Sequence, residues 1–416
     1  MVQKIVLSNG VRLLCEKLDQ VRSCAIGVWV LNGSCHEPEE LSGISHFIEH
    51  MLFKGTETRS AAKLAEISDA IGGQVNAFTT KEHTCFYART LDTHRPVAAE
   101  LLCDMLLHSR FAQEDMDLER GVVLEEIDMY EDSPEDLVAE ILAKACFPGQ
   151  PLGRPILGSE EALNRIDHKA MADYVRRTYV GENVIVALSG SFSQSDVDAI
   201  SRMFSAVPSG APSALSVPRY QPACVVKEKP IEQNHLLLAF PTMAAADEGH
   251  YALAVLNNIL GAGMSSRLFQ RVREQSGLCY TIYSYTSLYA HCGVLGIYTA
   301  LGRETQEAAL HMILDELKRI KRDGVTEEEL ARTKEQLKIS LLMGLESTTA
   351  RMNTVARAEM TYGEYRTPEE TVERLEAVTA ADVYALAQEL LDFDRMSFSA
   401  VGNVSSPEEY RAMLTC

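Results

Sequence analysis

The chain has 416 residues, 46% hydrophobic and 24% charged, with a formal net charge of −20 at pH 7. That length exceeds one ordinary core and predicts two domains of roughly 200 residues each, while the acidic balance argues against nucleic acid and leaves room for basic peptides as partners. No apolar run approaches the roughly 20 residues that cross a bilayer, so no membrane partner is expected, and ten cysteines without a Cys-x-x-Cys pair read as buried thiols of a reducing, cytoplasmic compartment.

In chain order, the opening "MVQKIVLSNGVRLLCEKL" lacks the apolar region and cleavage site of a leader. Alternating apolar residues flank Ser8-Asn9-Gly10, and Asn-Gly predicts a hairpin. "AIGVWVLNG" follows as a strand. Next comes "GISHFIEHMLFKGT", Gly43 to Thr56, with the period of a helix. Ile44, Phe47, Ile48, Met51 and Leu52 form its apolar face, and at about 100° per residue His46, Glu49 and His50 gather opposite. Two His at i and i+4 can bring ring nitrogens to one ion, and a Glu at i+3 lies beside it without being a ligand. An isolated His pair is usually the polar face of an amphipathic helix. The spacing His-x-x-Glu-His, the inverted form of the His-Glu-x-x-His zinc signature, favours a metal and demands a third ligand downstream.

"GGQVNAFTT" offers Gly72 and Gly73, then alternation through Asn76, Phe78 and Thr80. It suits either an edge strand, to which an extended peptide adds through its backbone, or an ordinary inner strand. "TCFYARTL" reads as a strand and "HRPVAAELLCDMLLHS" as an amphipathic helix. In the helical run Leu118 to Asp132, Glu119 and Glu126 share a face and Glu125 points about 100° from Glu126. Val122, Val123, Leu124 and Ile127 predict that this helix is largely buried, where unpaired carboxylates are costly and a cation would resolve the cost. Ala206 to Ala223, rich in Pro, Ser and Gly, reads as a linker. Beyond it "HLLLAFP" and "GVLGIYTAL" are strand-like and "RETQEAALHMILDELKRIKRDG" is helical.

The halves repeat. At an offset of 208, "FIEHMLFKG" falls on "VLNNILGAG", and at 212 "VIVALSGSFS" falls on "MSFSAVGNVS". The expected fold is α+β: two duplicated domains, each a mostly antiparallel sheet with helices packed on one face. Their predicted bounds are 1–212 for the domain with the candidate metal site, 213–225 for the linker and 226–416 for the second domain.

These blocks together resemble the pitrilysin (insulinase) family of zinc peptidases, and within it the two-domain branch typified by the catalytic subunit of mitochondrial processing peptidase and its bacterial relatives. "SGISHFIEHMLFKGT", "GGQVNAFTTKEHTCFY", "ERGVVLEEIDMYEDSPED", "PLGRPILGSEE" and "SSRLFQRVREQSGLCY" carry the likeness nearly end to end. The resemblance implies zinc held by His46, His50 and Glu126, the last standing 76 residues after His50. It makes Glu49 the general base and Glu119 the residue that orients a ligand. Arg273 and Tyr280 are implied as donors to the scissile carbonyl, and Asn76, Ala77, Phe78 and Thr79 as the substrate strand. The second copy is implied to lack ligands, as Asn257 and Asn258 at the positions of Glu49 and His50 agree.

The expected function is therefore a zinc-dependent endopeptidase acting on short or unfolded peptides. The alternative is a catalytically silent or partner-dependent scaffold subunit of the same fold. The chain lacks the glycine-rich loop of the regulatory partner in the mitochondrial enzyme. A homodimer is expected, its active site completed by the partner's C-terminal domain, because the family's four-domain members join the same parts in one chain. His36, His83, His108 and His235 have no comparable spacing and read as structural or exposed.

Overall fold

The computed structural model describes residues 2–72 and 74–415. The Asn-Gly turn closes the first hairpin: β1 (Val2–Val6) and β2 (Arg12–Lys17) pair antiparallel, and Gly10 takes φ +95°, which glycine adopts at little cost. β3 (Ser23–Val30), β4 (Gln74–Thr79), β5 (Thr84–Leu91) and β6 (Val184–Gly190) complete a six-stranded sheet in the order β1-β2-β6-β3-β5-β4. β2 and β6 run parallel, the other neighbours antiparallel, and β4 lies at one edge.

Strand alternation sorts this sheet's side chains between two layers. Leu13, Ile26, Val28 and Phe86 enter a core with Phe47, Ile48 and Met51 of helix α1 (Ile44–Leu52). Helix α2 (Ala61–Ala70) adds Leu64, and helix α3 (Arg95–His108) adds Leu101, Leu102 and Met105. Leu14, Ala25, Trp29 and Ile185 turn to the other face, where Met352, Val355 and Ala356 of the helix Thr348–Tyr362 cover them. Two buried carboxylates tie that helix down: Glu16 meets Arg351 at 2.6 Å, and Glu359 meets Lys4 at 2.8 Å.

The second sheet repeats the plan. β7 (Cys224–Glu228), β8 (Asn234–Thr242), β9 (Thr281–Leu288), β10 (Gly293–Leu301) and β11 (Ser397–Gly402) lie in the order β7-β11-β8-β10-β9. β7 and β11 are parallel, as β2 and β6 are, so the duplication read from the sequence is a duplication of topology. Leu236, Leu238, Phe240 and Ile297 face the helices His250–Leu260 and Ala380–Leu390. Helix α4 (Gln113–Asp132) is followed by helix α5 (Pro134–Cys146), which packs on the other face of this second sheet. There Ser399 donates its hydroxyl to the Val138 carbonyl at 2.7 Å.

The compact units are not consecutive segments. One comprises Met1–Asp128, Arg154–Ser216 and Met343–Tyr365, and the other Met129–Gly153, Val217–Leu342 and Arg366–Cys416. Across the expected division into 1–212 and 226–416 two helices are exchanged: α5 comes from the first half of the sequence and covers the second sheet, while Thr348–Tyr362 does the reverse. Each sheet has two apolar faces, and the helices following it in sequence cover only one. Residues 208–223 contain neither helix nor strand.

Candidate metal centre

α1 begins at Gly43, whose φ of +95° turns the chain into the helix, and its apolar face is fully buried. His46 and His50 stand one turn apart, their ring centroids 4.6 Å from each other. His46 is buried as well, only 7% exposed, because α4 lies over the polar side of α1. Burial first, and the neighbouring His50 second, push the His46 imidazole down to about 3, so it is neutral at pH 7 and its nitrogen lone pair is available.

α4 supplies the acidic side. Met116, Glu119 and Val123 form its buried stripe, at i, i+3 and i+7. The expectation of a largely buried α4 is corrected here: Val122 is 51% and Leu118 75% exposed. Glu119 reaches His50 Nδ1 at 2.8 Å, and its second oxygen meets Lys54 Nζ at 2.5 Å. Lys54 lies four residues after His50, just beyond the end of α1, and escaped the sequence reading. Two turns further along α4, Glu126 Oε2 lies 3.5 Å from His50 Nε2 and 3.6 Å from His46 Nε2.

These three groups fit a zinc ion. The distances are too long for hydrogen bonds, yet they match the roughly 3.4 Å that separates two ligands on a tetrahedral ion with bonds of about 2.0–2.1 Å. The ligand atoms of His46, His50 and Glu126 all lie within 4.8 Å of one another. In the His50 tautomer that donates Nδ1–H to Glu119, Nε2 turns a lone pair toward the Glu126 carboxylate, and His46 Nε2 faces the same oxygen. Three acceptors facing one point is unfavourable without a cation between them. Among the described residues no other cluster offers this donor set.

Glu49 stands outside it. Thr79 donates its hydroxyl to Glu49 Oε2 at 2.5 Å. Burial raises the Glu49 carboxyl above its ordinary range, against the pull of Thr79 and His50. Thr79 ends β4, on which Asn76 and Phe78 face out while Val75 and Ala77 pack toward the core. Of the glycines read before this strand, Gly73 lies outside the described residues.

In the second unit, Arg273 lies on a π-helical turn, Phe269–Gln275, with its guanidinium 4.6 Å from the Phe269 ring and 4.9 Å from the Tyr280 ring. The structure thus brings Arg273 and Tyr280 together, with Tyr280 75% exposed just before β9. Of the four histidines without metal-like spacing, His36 accepts from the Gly33 amide, His108 pairs with Asp104 and His235 with the Tyr298 hydroxyl. His83 packs edge-on to Phe78.

A duplicated α+β chain with a two-histidine, one-glutamate cluster and a separate, partly buried carboxyl beside it has the parts of a metallohydrolase. Residues 12–160 match the family described as Insulinase (Peptidase family M16), and residues 165–337 match the one described as Peptidase M16 inactive domain. A protein of Bacillus subtilis named as an uncharacterized zinc protease is 42% identical, over 98% of this chain and 100% of its own. One of the same description from Streptomyces coelicolor is 39% identical, over 99% of this chain and 91% of its own. The chain belongs to the M16 (insulinase) family of zinc-dependent peptidases. Two solved structures share the fold: a peptidase M16 inactive domain from Pseudomonas fluorescens, with TM-score 0.91 and 21% identity, and a protease from Helicobacter pylori, with 0.90 and 20%. Each alignment covers 97% of this chain and 99% of the other.

Proposed function

We propose that the chain is a zinc endopeptidase in which His46, His50 and Glu126 hold the metal and Glu49 is the general base. The observation that carries this reading is the approach of both imidazole Nε2 atoms to one Glu126 oxygen, with the Glu49 carboxyl on the same helix but outside the set. Zinc bound there supplies a water of pKa about 7 and positive charge for the carbonyl oxygen. Glu49 takes the proton of the attacking water and passes it to the leaving amine, and burial brings its carboxyl toward the proton affinity that two-way transfer at neutral pH requires. Thr79 fixes its orientation. Glu119, held between Lys54 and His50, keeps the His50 ring turned toward the metal.

The peptide substrate adds to the free edge of β4 along Asn76, Ala77, Phe78 and Thr79, held through its backbone, which suits short or unfolded chains of varied sequence. Arg273 and Tyr280 donate to the carbonyl oxygen as it gains charge, and in a homodimer they serve the partner's zinc. The net charge of −20 favours basic peptides, a bias that salt weakens. Buried thiols such as Cys15, Cys24 and Cys85 suit the cytoplasm. No helix among the described residues is long and apolar enough to cross a membrane.

The test pairs metal analysis with a cleavage assay on acidic and basic peptides at low salt. One zinc per chain is expected, with cleavage abolished in Glu49→Gln while its zinc is retained. A Glu49→Gln protein that loses zinc, or cuts at the normal rate, would sink the assignment. A zinc-loaded wild type that cleaves nothing would favour the scaffold reading. Equal rates on both peptide classes would remove the charge argument.

A further inference from the structure

α1 is nine residues long, and His46 sits in its first turn. Isolated helices under about 12–15 residues are marginal, so the placement of His46 depends on how the helix is started. The residue in the capping position, Gly43, has no side chain to offer its amides. It cannot gain one easily: φ is +95°, and a Cβ would come within 2.5 Å of the Leu157 carbonyl oxygen. Across that contact Gly158 is equally tight, since its Cβ would lie 2.2 Å from the Ser42 carbonyl oxygen.

The missing cap comes from six residues upstream. Glu37, 4% exposed, accepts the Gly43 amide on Oε2 at 2.7 Å and the Ser45 amide on Oε1 at 2.8 Å. Each carboxylate oxygen holds one amide, so both translation and rotation of the first turn are constrained. The positive end of the helix dipole favours a carboxylate at this place. Arg154 donates to the Glu37 backbone carbonyl at 2.7 Å, joining the loop of Leu157 and Gly158 to the same anchor.

We propose that Glu37 is a positioning residue for the metal centre: its carboxylate, seated on the first amides of α1, fixes the turn that carries His46 and thereby the spacing of His46 and His50 against Glu126. The inference rests on the assignment of zinc to these three residues. It differs from a purely structural cap, which would cost stability and leave the loaded site unchanged.

The experiment measures zinc affinity by chelator competition, and the visible absorption of the cobalt-substituted protein, for wild type, Glu37→Gln and Glu37→Ala. Glu37→Gln keeps the shape and one acceptor and loses the second acceptor. Zinc affinity is expected to fall about 10–100-fold, the range seen when the partner of a ligand is removed. The cobalt bands should shift or broaden at saturation, and turnover should fall with little change in KM. Folded variants with wild-type affinity and cobalt spectrum would overturn the inference. So would weaker affinity that merely tracks a lower melting temperature while the saturated spectrum stays that of wild type. If Glu37→Ala does not fold, Glu37→Gln decides. His50→Ala serves as the separate control: a chain that keeps full zinc affinity without His50 overturns the metal assignment itself and the inference with it, whereas loss in His50→Ala and none in Glu37→Gln removes only the role of Glu37.

Discussion

Glu329 shows how single residues of the second unit carry pH-dependent stability. Its carboxylate takes both arms of Arg267 at 2.7 Å, and the Thr326 amide donates to it at 2.8 Å, closing the start of the helix Glu327–Gly344. Burial alone would raise this carboxyl, but Arg267 and Thr326 outweigh it and hold it at about 2, below its ordinary 4.5. A depressed carboxyl gives stability that is fully present above the unfolded value and is lost as pH falls through the folded one. Replacing Glu329 by Gln is therefore expected to cost about 1 kcal/mol at pH 7 after allowance for solvent screening. Urea unfolding should show that difference shrinking between pH 4.5 and about 2; a difference independent of pH would contradict the assignment. Lys54 beside Glu119 and Thr79 beside Glu49 belong to the same scale. Their types are ordinary, and only the folded chain shows which carboxylate each one meets.

Among the elements, the helix Thr348–Tyr362 has the clearest energetic role. Met352 is fully buried against the face of the first sheet that holds Trp29, the chain's only tryptophan. Truncating Met352 to Ala should cost about 2–5 kcal/mol, read as a lower urea midpoint followed by Trp29 fluorescence. An unchanged midpoint would mean that the helix contributes little to the sheet it covers. The first hairpin, β5 and β10 were legible because an Asn-Gly turn and short runs of aliphatic and aromatic residues are local signals. α4 was legible as a helix and misread in burial. Val122-Val123-Leu124 is continuous in apolar character, yet at about 100° per residue Val123 is buried, Leu124 packs on the core only in part and Val122 is exposed.

At the scale of the whole molecule, a fragment ending at residue 225 lacks the helix that covers Trp29. It is expected to bind a dye for exposed apolar surface and to hold zinc more weakly than the full chain; a compact fragment with full zinc affinity would show that the helix is dispensable. The homodimer reading has its own test. A His50→Ala chain supplies Arg273 without a metal site, and an Arg273→Ala chain supplies the reverse, with turnover of its own lowered about 10²–10³-fold. With random exchange about half the dimers are mixed and each has one whole site, so mixing should restore roughly a quarter of wild-type activity. No recovery despite demonstrated exchange would place both parts in one chain.

The sequence by itself determined what depends on short range. His-x-x-Glu-His on one helix, Glu119 and Glu126 seven apart on another, the strands and the repeat are all spacings along the chain, and helix and strand periods convert spacing into a face. The tertiary structure decided what depends on which face meets which. It set the approach of α4 to α1 that brings Glu126 to both imidazoles, and the seating of Glu37 on the start of α1. It also decided the exchange of α5 and Thr348–Tyr362 between the halves, because a two-faced sheet must be covered on both sides and the covering helices need only be apolar, not adjacent in sequence.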